Sequence, residues 1–260
     1  MTRADYDPFV RGAFPVGVRT EGWHDATRDR RLPVEIWYPA TDAYAGQDLD
    51  PATWDTFVPV WAADGVASPE EMCVQAAVRD AQLRALDAPA PLVLLIHGWA
   101  GFRRESTFIA THLASRGYIV VSPDVTGSKW DDVDAFLVAQ EPLGRREALV
   151  AHAEASAVDR IADIGFLIST AVERLPVRDG GVGVTGASFG GYSSLVAPTS
   201  DARVAAIAAM CPANDDSMVM SGGSVFNARI LAPWKSDPAT LILAADRDSL
   251  LPLYGQLTLL

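Results

Sequence analysis

Five short, continuously apolar segments, rich in β-branched residues, recur along the chain from residue 90 onward. They are Leu92–Ile96, 118–122, 181–185, Val204–Met210 and 240–245. Segments of helical character lie between them, at 104–116, 144–174 and 190–198. Uninterrupted apolar runs are typical of strands buried on both faces, and alternation of such strands with helices is typical of a parallel sheet. The sequence therefore predicts an α/β fold with a mostly parallel central sheet and helices on both faces.

The segments before residue 90 have a different pattern. Residues 16–22 and 33–38 flank a charged turn at 27–31, which predicts an antiparallel hairpin at the edge of the sheet. Residues 41–90 form an insertion, and Ser68-Pro69-Glu70-Glu71 has the capping-box pattern that predicts the start of a helix there. We expect one domain over residues 1–260, without a large lid.

Composition excludes several classes of protein. The net charge of −12 argues against nucleic acid or an anionic membrane as a partner. The polar N-terminus does not resemble a signal peptide, and the apolar runs are shorter than a membrane span. Cys73 and Cys211 are far apart and lack the spacing of metal ligands. We expect a cytoplasmic protein without a disulfide framework or a metal site.

A serine flanked by glycines lies where a predicted strand passes into a predicted helix. The segment is Gly186-Ala187-Ser188-Phe189-Gly190. On so sharp a turn the serine backbone is strained, and side chains at 186 and 190 would collide with the neighbouring strand and helix. One interpretation is a small-residue turn that packs a helix onto the sheet. The strand-to-helix context favours the other, a nucleophile elbow that exposes Ser188.

A reactive serine also needs donors for the oxyanion that forms when it attacks a carbonyl. His97 and Gly98 follow a buried strand, at the end of the sheet where ligands bind in open parallel sheets. The segment could be an ordinary turn after a strand. Paired with the elbow, it predicts that the backbone N–H groups of Trp99 and Phe189 form an oxyanion hole.

These motifs, with the segment from Arg31 to Ala40 and the last predicted strand, resemble the α/β-hydrolase superfamily. The resemblance covers nearly the whole chain and is to the branch with dienelactone hydrolases, platelet-activating-factor-acetylhydrolase-like proteins and polyester-cleaving cutinase-like enzymes. It implies an eight-stranded sheet and a catalytic serine, acid and histidine in that order along the chain. It also implies a small-molecule or polymeric ester as substrate and no cofactor.

The resemblance points to Asp248 as the acid. Asp248 follows the last predicted strand and lies four residues before Pro252, as the acid does in the family. Its neighbour Asp246 is an alternative, and some relatives use the position of Asp215 or Asp216. Any of these could also be a loop carboxylate without a role.

The histidines depart from the family's order. The chain has four, His24, His97, His112 and His152, and all precede Ser188. The family's base should follow the acid by about thirty residues. We expect a C-terminally shortened hydrolase that lacks the last strand and helix, leaves the strand at 240–245 as an unpaired edge, and is nearly inactive.

Alternatives remain open for the base and for the function. We expect His97 to shape the oxyanion loop, and His152, near the start of the long helix, could approach the rim of the site. The whole protein could instead be a non-catalytic binding protein with this fold. It could also be an acyltransferase that uses the same residues.

Overall fold

The computed structural model describes residues 7, 9–62, 67–68, 70–139, 145–217 and 226–259. The strands in this part of the chain are β1 Val16–Asp25, β2 Arg30–Pro39, β3 Asp55–Phe57, β4 Cys73–Gln75, β5 Val78–Arg79, β6 Leu92–Ile96, β7 Ile119–Pro123, β8 Val182–Ala187, β9 Val204–Met210 and β10 Ala239–Leu243. The α-helices are α1 Thr107–Ser115, α2 Trp130–Ala139, α3 Arg145–Arg174, α4 Phe189–Ser200, α5 Phe226–Ile230 and α6 Leu253–Leu257. Single 3₁₀ turns occur at Asp42–Tyr44 and Gln47–Leu49.

The main sheet has the strand order β10-β9-β8-β6-β7-β2-β1-β5 in the described part of the chain. Strands β6 to β10 run parallel to their neighbours within this group, and β2 joins β7 antiparallel. The hairpin β1–β2 is antiparallel, as predicted, and β5 adds two residues parallel to β1. A separate small sheet pairs β3 with β4. The predicted fold class, an α/β-hydrolase fold with a mostly parallel sheet, is confirmed.

Two hydrophobic cores cover the two faces of the sheet. On β6, Leu92, Leu94 and Ile96 pack into the core that includes α3 and α4. Val93 and Leu95 point the other way, into the core that includes α1. Because both faces are covered, β6 is apolar at every position, which is why its bounds could be predicted from sequence.

The predicted helix after Ser68 is wrong. Pro69 lies outside the described residues, but Glu70 and Glu71 form a turn, and β4 begins at Cys73. The capping contact itself is present, because the Ser68 N–H donates to Glu71 Oε2 at 2.8 Å. Tertiary contacts hold the following residues extended. Buried Gln75 accepts a hydrogen bond from Trp37 Nε1 and donates one to Asp55, both at 2.6 Å.

Strand β10 forms an edge of the sheet, and its described backbone partner is β9 alone. Leu241 and Leu243 on this strand are about half exposed, at 53% and 48%. The predicted unpaired edge is therefore present. The expectation of no large lid falls partly on residues 218–225, which lie outside the described residues.

An ion-pair network fastens the hairpin to the long helix α3. The Asp163 carboxylate, with 2% of its side chain exposed, accepts hydrogen bonds from Arg30 at 2.8 Å. It also forms an ion pair with Arg28 at 2.8 Å. Asp159, one turn earlier, reaches Arg30 at 3.3 Å but is half exposed. Arg28 also pairs with Asp25 at 2.7 Å, but Asp163 is the buried carboxylate that both arginines share.

We expect Asp163→Asn to lower the free energy of unfolding by about 3 kcal/mol, because it leaves two partly buried guanidinium groups without their shared counter-charge. Asp159→Asn, the matched control, should cost under about 1 kcal/mol, since exposed ion pairs contribute little. Urea unfolding of both variants measures the difference. Equal effects would contradict the role given to Asp163.

Candidate active site

Ser188 occupies the turn between β8 and α4. Its backbone angles are φ 56° and ψ −118°, a conformation that costs a non-glycine residue about 1–3 kcal/mol. Three hydrogen bonds hold it there. Its N–H donates to Met210 O at 2.9 Å, and its carbonyl accepts from the N–H groups of Tyr192 and Ala213 at 3.0 and 2.9 Å. The backbone strain predicted from the sequence is present.

The two glycines beside Ser188 lie against the end of β6. A Cβ at Gly186 would be 2.1 Å from the Ile96 carbonyl oxygen, and a Cβ at Gly190 would be 1.9 Å from the same atom. Both distances are far inside van der Waals contact with backbone that cannot move aside. The crowding predicted at residues 186 and 190 is therefore present.

The loop after β6 reaches the same point from the other side. A Cβ at Gly98 would lie 3.7 Å from Ser188 Cβ, so the loop and the elbow are in contact. Within the described part of the chain, the N–H groups of Trp99 and Phe189 have no hydrogen-bond acceptor. Two unpaired donors thus flank Ser188.

His97 is fully occupied by structural contacts. Its Nε2 accepts the Val125 N–H at 2.9 Å, which makes Nδ1 the protonated nitrogen that donates to Gly98 O at 2.6 Å. Burial, with a smaller contribution from the Arg160 charge, lowers the pKa of this imidazole to about 3. His97 is a neutral group that fixes the loop, with neither ring nitrogen free for Ser188.

The other three histidines have other contacts, and the buried Nε2 of His152 has no hydrogen-bond partner in the described structure. His24 lies on the hairpin against Asp29, and His112 accepts a hydrogen bond from Arg116. His152 on α3 stacks on Phe136 with 4.3 Å between ring centroids, and its ring centroid lies 5.9 Å from that of Trp99. No histidine hydrogen-bonds Ser188 in the part of the chain that is described.

The structure separates the candidate carboxylates. Asp248 lines the cavity that Ser188 opens into, and its Oδ1 accepts the N–H groups of Leu250 and Leu251 at 2.9 Å. The Asp246 side chain is 82% exposed and points at Arg247. Asp215 and Asp216 are not among the cavity residues, and Asp215 Oδ1 accepts the N–H of Phe226.

The cavity has a volume of about 470 Å³ and mostly apolar walls. Its described lining residues are Trp99, Ala153, Ala187, Ser188, Phe189, Cys211, Ala213, Ser217, Phe226, Asp248, Leu250 and Leu251. The sequence identified the residues of the elbow, the loop and the acid. It missed Ala153 and Phe226, because nothing local indicates that α3 and α5 approach Ser188.

Arg160 on α3 is a further residue that the sequence interpretation missed. It is 1% exposed, and it donates hydrogen bonds to the carbonyls of His97 and Gly98 and to Ser128 Oγ, at 2.7, 3.1 and 2.8 Å. Its guanidinium carbon lies 4.3 Å from the centroid of the Phe189 ring. Burial lowers the pKa of this guanidinium to about 9.

A sequence signal for Arg160 does exist. The buried positions of α3 follow a helical spacing and are mostly apolar, and Arg160 occupies one of them. These positions are Ala153, Ser156, Ala157, Arg160, Asp163, Ile164, Leu167, Ile168, Thr170 and Ala171. A charged residue in an apolar helical stripe indicates a buried polar contact.

The described residues contain no group of three or more histidine, cysteine or acidic side chains placed to hold a metal ion. They also contain no helix that is both long and apolar enough to cross a membrane.

Comparisons with known proteins show the family and the fold of the chain. The sequence profile of the dienelactone hydrolase family matches residues 80–253, more than half of the chain. No curated protein matched the sequence. Among solved structures, a ferulic acid esterase from Streptomyces cinnamoneus is similar, with a TM-score of 0.61, 23% identity, and coverage of 96% of this chain and 69% of that one.

Two other solved structures share the fold at lower identity. A protein described as a dienelactone hydrolase from Klebsiella pneumoniae has a TM-score of 0.57 and 13% identity, over 94% of this chain and 79% of that one. An S-formylglutathione hydrolase from Staphylococcus aureus has a TM-score of 0.55 and 12% identity, over 96% and 83%.

We expect Gly190→Ala to destabilise the protein by about 3 kcal/mol or more, because the new Cβ would overlap the Ile96 carbonyl. Gly22→Ala is the matched control, since a Cβ at this exposed strand position meets nothing within 4 Å. It should be neutral or slightly stabilising, by about 0.5 kcal/mol. Thermal unfolding of both variants tests this, and a Gly190→Ala variant of unchanged stability would disprove the close contact.

His97 should make stability depend on pH. In the unfolded chain this histidine takes up a proton below its usual pKa of 6.5, whereas in the folded protein it stays neutral to about 3. Folded stability is therefore lost as pH falls through this window, by up to about 1.4 kcal/mol per pH unit. The stability advantage of the protein over His97→Gln should shrink by about 2 kcal/mol between pH 7 and pH 5. Parallel urea-unfolding curves at the two pH values would contradict this.

Proposed function

The chain belongs to the dienelactone hydrolase family of the α/β-hydrolase superfamily, and we propose that it is a serine hydrolase that cleaves carboxylic esters through an acyl-enzyme at Ser188. One observation carries the proposal. The strained turn holds Ser188 at an apolar cavity, between two backbone N–H groups that lack an acceptor among the described residues.

The chemistry follows from this arrangement. Ser188 Oγ attacks the ester carbonyl carbon, and the N–H groups of Trp99 and Phe189 donate to the oxygen as it becomes negative. The tetrahedral intermediate expels the alcohol and leaves an ester on Ser188. Water then attacks that ester and releases the acid through a second tetrahedral intermediate.

Deprotonation of Ser188 needs a base, and Asp248 is proposed to orient it. Its position in the cavity supports this role over that of Asp246, Asp215 or Asp216. We further propose that this 260-residue chain acts slowly by itself. Two observations support this proposal: His24, His97 and His112 hydrogen-bond groups other than Ser188, and His152 stacks on Phe136 without a hydrogen bond to Ser188 in the described structure.

The apolar walls of the cavity favour an ester substrate with an apolar acyl or alcohol group. The ester could belong to a small molecule or to a polymer. The net charge of −12 supports such a substrate over nucleic acid. We also propose a cytoplasmic location. Transfer of the acyl group to an alcohol or amine would use the same residues, and product analysis with competing acceptors would reveal it.

Added imidazole should rescue hydrolysis, because it fits a 470 Å³ cavity and could stand where the family's histidine stands. Loss of the base in a serine triad costs about 10⁶-fold in turnover. We expect p-nitrophenyl butyrate hydrolysis to be slow alone and to rise with imidazole concentration to a plateau. Ser188→Ala should remove this saturable rate and leave only the reaction of imidazole in solution.

The role of Asp248 as the acid is tested by a matched pair of variants, at Asp248 and at its neighbour Asp246. Asp248→Asn should reduce the rescued rate about tenfold or more, since nothing would orient the imidazole, while the exposed Asp246→Asn should leave it unchanged. Rapid Ser188-dependent hydrolysis without imidazole would contradict the proposed slow rate. Identical rates for the protein and Ser188→Ala under all conditions would contradict the hydrolase itself and favour a binding protein.

A further inference from the structure

Arg160 is a buried cation whose hydrogen-bond partners are neutral. In the described structure they are the carbonyls of His97 and Gly98 and the hydroxyls of Ser128 and Ser193, at 2.7 to 3.4 Å. The charges of Glu105 and Asp163 favour this cation, but burial outweighs them and lowers its pKa. An apolar residue at this helical position would pack without the cost of burying a charge. The position therefore indicates a use for the charge.

The first use concerns the peptide group between Gly98 and Trp99. Its carbonyl oxygen accepts from Arg160 Nη2 at 3.1 Å and from His97 Nδ1 at 2.6 Å. The other end of this peptide is the Trp99 N–H, one of the two donors beside Ser188. Hydrogen bonds to a peptide carbonyl polarise the whole group, so each makes the N–H a stronger donor.

The second use concerns the other donor. The Arg160 guanidinium stacks on the ring of Phe189, at 4.3 Å from its centroid. It also reaches Ser193 Oγ, which donates to the Phe189 carbonyl at 2.8 Å. One guanidinium thus contacts both segments that supply donors, the loop after β6 and the first turn of α4.

We propose that Arg160 is a positioning residue for ester cleavage: it locks the Gly98–Trp99 peptide against the start of α4, so that the Trp99 and Phe189 N–H groups converge on the oxyanion, and its charge favours that oxyanion. This inference rests on the proposed hydrolase function. Arg160 acts through these peptide groups and touches neither Ser188 nor the cavity in the described structure.

The test compares variants in imidazole-rescued hydrolysis of p-nitrophenyl butyrate. Direct removal of one oxyanion donor costs about 10²–10³-fold in turnover. We expect Arg160→Met to lower kcat about 10- to 100-fold with KM changed less than about twofold, because the oxyanion exists only after attack. Arg160→Lys, which keeps the charge and one donor, should recover a large part of this loss.

Two more variants separate positioning from folding. Ser128→Ala leaves Arg160 in place but removes the hydroxyl that it holds at 2.8 Å, and should lower kcat about threefold or more. Arg203→Met, the folding control, removes an arginine immediately before β9 that pairs with Asp201 at 2.6 Å and reaches Ser169 on α3 at 2.9 Å. It should lower stability while leaving kcat and KM unchanged.

The outcomes are distinguishable. Wild-type kcat in Arg160→Met would overturn the proposal, as would a loss that appears in KM alone. If Arg160→Met does not fold, wild-type kcat in Ser128→Ala would overturn it. A kcat of Arg160→Lys no higher than that of Arg160→Met would also overturn the proposal. If the protein with Arg160 intact shows no rate above Ser188→Ala even with imidazole, the hydrolase function fails instead.

Discussion

The contact between the Ile96 carbonyl and the two glycines of the elbow determines the geometry of the whole site. Strand β6 ends against β8 and α4 so closely that neither Gly186 nor Gly190 has room for a Cβ. This approach brings the loop at 97–99 into contact with Ser188, since both leave the sheet at the same point. The strained φ of Ser188 is the cost of the arrangement, and three backbone hydrogen bonds hold it: Ser188 donates to Met210 and accepts from Tyr192 and Ala213.

The features predicted best from the sequence are those that depend on local residue spacing or on burial of both faces of the sheet. The bounds of β6 and β9 match the apolar runs, and the elbow follows from its glycines. The helix expected after Ser68 failed because Gln75, through Trp37 and Asp55, holds that segment in a strand. Helix α2 was not predicted either. Which carboxylate lines the cavity depends on how loops fold over Ser188; the family resemblance favoured Asp248, and the structure has Asp248, and not its neighbours, in the cavity wall.

The electrostatics beneath the site differ from those of the chain as a whole. The net charge is −12, yet the buried group behind the two unpaired N–H donors is a cation, Arg160. Its charge adds to burial in keeping His97 neutral, and only a neutral His97 can accept from Val125 while donating to Gly98. Arg160 and His97 thus support the same carbonyl in a mutually consistent way. This coupling also explains why the histidine next to the serine loop is unsuited to act as its base.

The two oxygens of Asp248 are in different surroundings, and this difference bears on the base. Oδ1 accepts two backbone N–H groups, from Leu250 and Leu251, which fixes the orientation of the carboxylate. Oδ2 has no hydrogen-bond partner among the described residues. A carboxylate that is held by one oxygen and unpaired at the other is suited to receive the N–H of an imidazole, as the acid of a serine triad does. Because Ser188 and Asp248 line the same cavity, an imidazole bonded to Oδ2 would share that cavity with the serine.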